Sequence, residues 1–297
     1  MGAGRSFDFN TMALQWLNYL KLTKPKIMLL VLAAGTSALL AEGSMLANPG
    51  RFTLFLLGLF LTGGCANALN QYFERTIDAR MIRTAGKRPL PLGSITPWRA
   101  LAFSVFIGLA GIILLAVIFN LITGFLALAT ILFYGLVYTL WLKPRSAQNI
   151  VIGGIAGAMA PVGAWTAATG STALLPWIIF LLIFFWTPPH FWSLALCFKD
   201  DYIKVKLPMM PVVKGDKKTL DFMSYYSILT AAVSLIPLFA NFSWIYLGIS
   251  SILGAILIYK SFLAKNTGSR RFYWGFFKFS IIYLFAILAA VAIAGRL

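Results

Sequence analysis

The chain has 297 residues, 60% of them hydrophobic and 11% charged, with mean hydropathy +0.85 and a formal charge of +17. A soluble domain is nearer half apolar and a quarter charged, so the composition excludes a soluble globular protein and indicates a polytopic membrane protein. The positive charge falls in segments between apolar runs and forms no soluble basic stripe, which argues against nucleic acid as a partner.

Residues 1–26 read as a cytoplasmic N-terminal segment. Within it Phe9, Met12, Trp16 and Leu20 recur near helical spacing, which predicts a short interfacial helix. No cleavable signal is evident, and the lack of a basic transit peptide points to a bacterial cytoplasmic (inner) membrane. Residues 27–297 read as one all-α domain. Runs of about 20 apolar residues, enough to span hydrocarbon, fall near 27–46, 53–70, 98–119, 122–141, 149–168, 174–196, 224–241, 244–263 and 275–295. Such runs can only be helices, because every amide in lipid must be bonded within its own segment. The expected fold is a bundle of nine transmembrane helices in the lipid bilayer. Of the 25 Lys and Arg, all but Arg51 and Arg296 lie before the first run or after an even-numbered one. That bias puts the N-terminus in the cytoplasm and the C-terminus outside. Cys65 and Cys197 are far apart, in apolar surroundings, and read as reduced packing residues.

The cytoplasmic connections after the second and sixth runs are the longest. Each begins with carboxylates, continues through Lys and Arg, and ends in a proline-rich turn, Arg88-Pro89-Leu90-Pro91-Leu92-Gly93 and Leu207-Pro208-Met209-Met210-Pro211. This weak internal repeat enters from one side, so its copies can face each other across one cavity.

At the end of the second run, Asn70, Glu74 and Asp78 are four residues apart and share one helical face. Three oxygen ligands so placed suit Mg²⁺, which takes carboxylates together with substrate phosphates. The bland reading is a solvated helix end. A second acidic pair, Asp200 and Asp201, changes the balance, since four of the eight acids sit in these two places. With Arg83, Lys87, Arg88, Lys199 and Lys204 around them, they describe a magnesium-diphosphate site. A transporter would carry its ion site near the bilayer midplane, and a channel would need polar stripes through several helices. Neither is present in the sequence.

The only histidine, His190, stands in Trp186-Thr187-Pro188-Pro189-His190-Phe191-Trp192. The prolines are expected to break the helix just before it. A lone histidine at a helix end is often structural, and its aromatic neighbours can be an interfacial belt. The alternative is a ligand-binding imidazole.

This motif, the Asp-Asp-Tyr at 200–202 followed by Pro208-Met209-Met210-Pro211-Val212-Val213-Lys214-Gly215, and the glycine-rich stretch at 149–157 resemble the UbiA-like family of intramembrane prenyltransferases, and within it the heme-modifying branch. The resemblance runs from about Lys24 to the last helix. It implies a nine-helix bundle with a pocket at the cytosolic face. It implies transfer of farnesyl from farnesyl diphosphate to a vinyl group of heme B, with addition of water and release of diphosphate, giving heme O. Asn70, Glu74 and Asp78 match the first aspartate-rich motif, and Arg83 with Lys87 or Arg88 match the cations that follow it. Asp200 and Asp201 fall near the second metal motif, though its Asp-x-x-x-Asp form is absent. Tyr138-Thr139-Leu140-Trp141-Leu142-Lys143 resembles the fourth-helix motif, with the tyrosine near the allylic carbon and the lysine near the phosphate. An aromatic face stabilises an allylic cation without attacking it, a role for Tyr138 with Phe133 or Trp141 as helpers. The resemblance to the heme-modifying branch assigns His190 to the heme, at the iron or the macrocycle edge, with Trp186 and Trp192 lining a flat apolar pocket; a heme A synthase or terminal oxidase is the assembly partner to test. The competing readings are a quinone-precursor prenyltransferase and a non-catalytic heme-binding membrane protein.

Overall fold

The computed structural model describes residues 9–237 and 243–294, which are helical almost throughout, with no strand among them. Helix α1 (Phe9–Leu22) leads into α2 (Pro25–Glu42), α3 (Pro49–Asp78), the one-turn α4 (Ile82–Ala85), α5 (Pro97–Ile118) and α6 (Leu121–Leu132). α6 continues as a π-helical segment over Phe133–Leu142. α7 (Asn149–Ala158) and α8 (Ala160–Thr169) form one rod that bends at Met159, where Pro161 enters the first turn of α8. Then come α9 (Leu174–Cys197), the short α10 (Lys199–Lys204) and α11 (Met210–Val213), and the long α12 (Gly215–Ser234), α13 (Trp244–Thr267) and α14 (Arg270–Ala294).

The helix ends follow local chemistry. Proline opens α2, α3 and α5, where its missing N–H would have had no partner in any case. Asn48 and Asn120 cap α3 and α6 by accepting from the backbone N–H of Arg51 and Thr123, at 3.1 and 2.9 Å. Gly43 and Gly268 close α2 and α13 at φ 91° and 61°.

Among the described residues, eight helical rods are long and apolar enough to cross a membrane, against the nine expected. The difference is α12. The expected span at 224–241 begins earlier, at Gly215, and 238–241 lie outside the described residues. Asp216, Lys217, Lys218 and Asp221 face outward in its first two turns while Thr219, Leu220 and Met223 are buried. The charges of these entry turns keep α12 out of the eight, although its apolar part is among the nine expected runs. α12 nonetheless packs within the bundle, between α9 and α13.

The second correction concerns the two prolines. Pro188 and Pro189 lie inside α9, which runs unbroken past them to Cys197. The two prolines remove two backbone donors, and the helix continues past them nonetheless.

α2 packs on α3, α8 and α14; α3 on the π-helical segment; that segment on α7; α7 on α9; and α9 on α14. These neighbours close into a ring, with α5–α6 and α12–α13 outside it. Small residues allow the tight seams: a Cβ on Gly108 of α5 would lie 2.6 Å from Cys65 Sγ of α3. α1 exposes Trp16 at 68% and Leu20 at 45% while Tyr19 packs on Phe103, as an interfacial helix does. Cys65 and Cys197 are free and buried.

Candidate active site

The last turns of α3 carry the first acidic group. Asn70, Glu74 and Asp78 lie on one face and are only 2%, 4% and 2% exposed. Carboxylates this deep must be paired, and each oxygen donor has its own cation. Lys24 Nζ donates to Asn70 Oδ1 at 2.7 Å, Lys143 Nζ sits 2.5 Å from Glu74 Oε1, and Arg88 pairs with Asp78 and lies 3.9 Å from Glu74. The angle of approach leaves Glu74 Oε1 without a well-formed hydrogen bond despite the ion pair. Between Lys87 and Arg88, it is Arg88 that reaches the acids, and Lys87 is exposed. The helix end is therefore a buried lattice of three cations and three oxygen donors, not a solvated surface.

Lys24 was not singled out for chemistry by the sequence, where it counts only as one of the charges before the first apolar run. Its backbone is left-handed, φ 53° and ψ 64°, directly before Pro25. Such a conformation costs a non-glycine residue on the order of 1–3 kcal/mol, and here it aims the side chain at Asn70. Burial, then the charge of Arg88, draws the Lys24 ammonium well below the usual lysine range, opposed by Glu74. A lysine immediately before the first-helix proline was the available signal.

The oxygen set fits a hard cation. No group of three or more His, Cys, Asp or Glu converges among the described residues. Mg²⁺ held by Asn70, Glu74 and Asp78 would thus take its other ligands from phosphate and water, as Mg²⁺ commonly does.

The π-helical segment supplies the next wall. Its wider turn lets Lys143 N bond the Tyr138 carbonyl at 2.9 Å and the Thr139 hydroxyl bond the Tyr134 carbonyl at 2.7 Å, both five residues apart. That spacing puts Lys143 Nζ 5.9 Å from the centre of the Tyr138 ring and on Glu74 at once. Thr139 Oγ1 also accepts from Asn70 Nδ2 at 3.2 Å. Tyr138 stacks on Tyr134, centroids 5.0 Å apart. Trp141, expected as a helper, is 60% exposed on the outer side, and the ring stacked on Tyr138 is that of Tyr134. Gly153 of α7 lies flat on Tyr138: a Cβ there would come within 2.3 Å of the ring. Gly153→Ala is expected to destabilise the protein by about 1–3 kcal/mol through overpacking, read as a lower Tm. An unchanged Tm would show that the ring is free to move.

The second loop meets the first. Asp201 accepts from Ile82 N–H at 3.1 Å and Arg83 N–H at 3.0 Å, one oxygen each, and so holds the start of α4. The Arg83 guanidinium approaches the Tyr202 hydroxyl at 3.5 Å and the Phe198 ring at 5.8 Å, with Nε buried and unpartnered. Asp200 is exposed, Lys199 is tied to Asp216 at 2.7 Å, and Lys204 is exposed. The two copies of the loop repeat thus touch, with Asp201 bound to backbone N–H groups.

His190 is 8% exposed and stacked between two rings, Trp186 at 4.2 Å and Phe277 of α14 at 4.5 Å, with Phe191 edge-on at 5.3 Å. Its Nδ1 is 2.7 Å from Ser280 Oγ. Trp192 does not join this group. Two residues further along a helix it faces elsewhere, fully buried against Phe222 and Tyr226 of α12. α7 bridges the two halves of the site: a Cβ on Gly154 would lie 3.2 Å from Thr187, less than one turn before His190, while Gly153 covers Tyr138.

The UbiA prenyltransferase family model matches residues 28–282. The protoheme IX farnesyltransferase of Synechocystis sp. is 42% identical over 281 residues, 93% of this chain and 88% of that one. The protoheme IX farnesyltransferase of Thermus thermophilus is 40% identical over 98% of this chain, which spans 48% of that longer protein. Two solved structures share the fold. One, from work on digeranylgeranylglyceryl phosphate synthase, has a TM-score of 0.77 at 20% identity and covers 95% of this chain and 99% of that one. The other, a UbiA homolog from Archaeoglobus fulgidus bound to DMAPP and Mg²⁺, has a TM-score of 0.64 at 18% identity, over 93% and 99%. A ring of membrane-spanning helices around a buried acid–cation lattice, with full-length relatives above 40% identity, places this chain in the UbiA prenyltransferase family.

Proposed function

We propose that this prenyltransferase moves the farnesyl group of farnesyl diphosphate onto a vinyl group of heme B and adds water, giving heme O and diphosphate. The observation that carries the reading is a site in two parts. One end is the lattice of Asn70, Glu74 and Asp78 with Lys24, Arg88 and Lys143. The other is a ring-clamped histidine. Relatives named protoheme IX farnesyltransferase and a homolog holding a prenyl diphosphate with Mg²⁺ support it. When bound, Mg²⁺ neutralises the diphosphate and makes it a better leaving group.

The residues divide the work. Arg88 and Lys143 turn from the carboxylates, and Lys24 from the Asn70 amide, to the diphosphate oxygens as the substrate enters. The allylic C–O bond breaks with its electron pair going to diphosphate, and the face of Tyr138 shields the cation left behind. The heme vinyl group supplies the electron pair of the new C–C bond, water oxygen joins the resulting cation, and a proton is lost. The apolar ring of helices excludes water until the C–C bond has formed, since early water would give farnesol.

Orientation follows from charge: N-terminus cytoplasmic, C-terminus outside, in a bacterial inner membrane. A reporter fused after Leu297 is expected to be active only outside the cytoplasm. Cytoplasmic activity would reverse the assignment. Heme O is an apolar amphiphile that stays in the bilayer, so its acceptor is a membrane protein such as a heme A synthase or terminal oxidase.

Purified protein with heme B, farnesyl diphosphate and Mg²⁺ is expected to yield hydroxyethylfarnesyl heme by mass spectrometry. Heme recovered unmodified while an aromatic quinone precursor is prenylated would overturn the substrate. Heme retained with no transfer at all would make the protein a non-catalytic binder.

A further inference from the structure

Among the described residues the His190 imidazole meets one hydrogen-bond partner, the Ser280 hydroxyl, which also reaches a backbone carbonyl. Ser280 Oγ donates to the carbonyl of Phe277 at 2.8 Å, the usual bond of a helical serine to the preceding turn. A hydroxyl carries one proton and two lone pairs. With its proton directed at Phe277, Ser280 Oγ meets His190 Nδ1 at 2.7 Å with a lone pair. A hydroxyl proton held by the Phe277 carbonyl puts the imidazole hydrogen on Nδ1 and leaves the lone pair on Nε2, whereas one turned toward Nδ1 gives the reverse. The arrangement is rigid. Ser280 is 1% exposed, its own carbonyl accepts from Trp186 Nε1 at 2.7 Å, and Trp186 and Phe277 cover both faces of the imidazole within 22° of parallel. The ring can neither flip nor swing without breaking the α9–α14 seam.

We propose that Ser280 is a positioning residue for His190: it fixes the Nδ1–H tautomer and so presents the bare Nε2 to the iron of the heme substrate. The inference rests on the proposed heme reading for its ligand, though not for the tautomer itself. An imidazole that binds a metal commonly donates its other N–H to an oxygen, which sets the tautomer and raises ligand basicity. Ser280 Oγ is that oxygen here, on a different helix from the histidine. The arrangement explains why a serine stands in the apolar run of α14, where an alanine would pack as well.

The chain contains one histidine, so ¹⁵N-histidine labelling gives a single-residue probe that needs no heme. In the purified heme-free protein, Nδ1 is expected to be the protonated nitrogen and Nε2 the bare one. Ser280→Ala should move the ring toward the Nε2–H tautomer, and Ser280→Thr should restore the wild-type pattern. With ferric heme B added, Ser280→Ala should weaken heme binding on the order of ten- to a hundred-fold and diminish the histidine-ligated absorption bands, leaving farnesyl diphosphate binding unchanged. A protonated Nε2 in the wild type overturns the proposal whatever the fate of the variants, so it stays testable even if Ser280→Ala does not fold. So does a tautomer pattern that Ser280→Ala leaves untouched. Failure of the heme reading has its own signature: a wild-type heme spectrum in His190→Ala, alongside the Nδ1–H tautomer in the wild type.

Discussion

Glu74→Gln and Asp78→Asn are each expected to lower Mg²⁺-dependent turnover by on the order of ten- to a hundred-fold or more, by analogy with the loss of a group that positions a metal. The two changes are nearly isosteric, so the packing of α3 is kept. What changes is charge. Lys24, Arg88 and Lys143 currently face two carboxylates and one amide oxygen. Removing one carboxylate leaves the cluster more cationic and frees Arg88 or Lys143. Binding of inorganic diphosphate without metal should then hold or tighten while turnover falls. A general loss of fold would weaken both together, and a carboxylate that merely closes a helix end would alter neither. Turnover near wild type in both variants at limiting Mg²⁺ would remove these acids from the mechanism. Breaking a buried ion pair also costs stability, about 3–5 kcal/mol where the remaining charge is fully buried. Arg88 and Lys143 side chains retain 18% and 17% exposure, so water can take part of that load and the Tm should fall by less.

The bundle was legible in the sequence because its evidence is redundant: continuous apolar runs and loop charges point to the same spans. Only the start of α12 escaped that reading, for a physical reason. An entry helix with Asp216, Lys217, Lys218 and Asp221 on one face and Leu220 and Met223 on the other is amphipathic, and a search for unbroken hydrophobicity finds only its apolar half. Pro188 and Pro189 were read as a break because local rules forbid proline in a helix interior. In a membrane the unwound alternative exposes more unsatisfied backbone than the two lost donors, and the helix continues. The shared face of Asn70, Glu74 and Asp78 was legible from spacing, since a helix fixes which residues share a face, and it took the second acidic pair to tip the reading from a helix end to a site. Their partners were not. Lys24 and Ser280 reach Asn70 and His190 across 46 and 90 residues of sequence, and no periodicity records a contact of that range. Trp192 shows the converse: adjacency in a motif suggested a shared pocket with His190, while two steps along a helix turned it to α12.

His190→Ala is expected to abolish farnesylation and weaken heme binding while farnesyl diphosphate binding stays near wild type. The division follows from where the imidazole sits. The three cations that engage Asn70, Glu74 and Asp78 of α3 come from the α1–α2 junction, the loop before α5 and the end of the π-helical segment. His190 faces Trp186, Phe277 and Ser280 on the α9–α14 seam. An imidazole enclosed by two rings is a poor phosphate ligand, because diphosphate favours a permanent cation, whereas neutral imidazole suits iron. Removing the ring empties a slot between Trp186 and Phe277, and truncating a buried residue of this size costs a few kcal/mol at most. His190→Phe therefore serves as the companion variant, since it refills the slot without a nitrogen. Both variants should lose the histidine-ligated heme spectrum, and only His190→Ala should lose much stability. Titrating heme B and farnesyl diphosphate separately against each variant decides the matter. Unchanged heme binding with collapse of farnesyl diphosphate binding would move His190 to the phosphate half. Wild-type turnover in His190→Phe would show that packing, and not the nitrogen, is what the site requires.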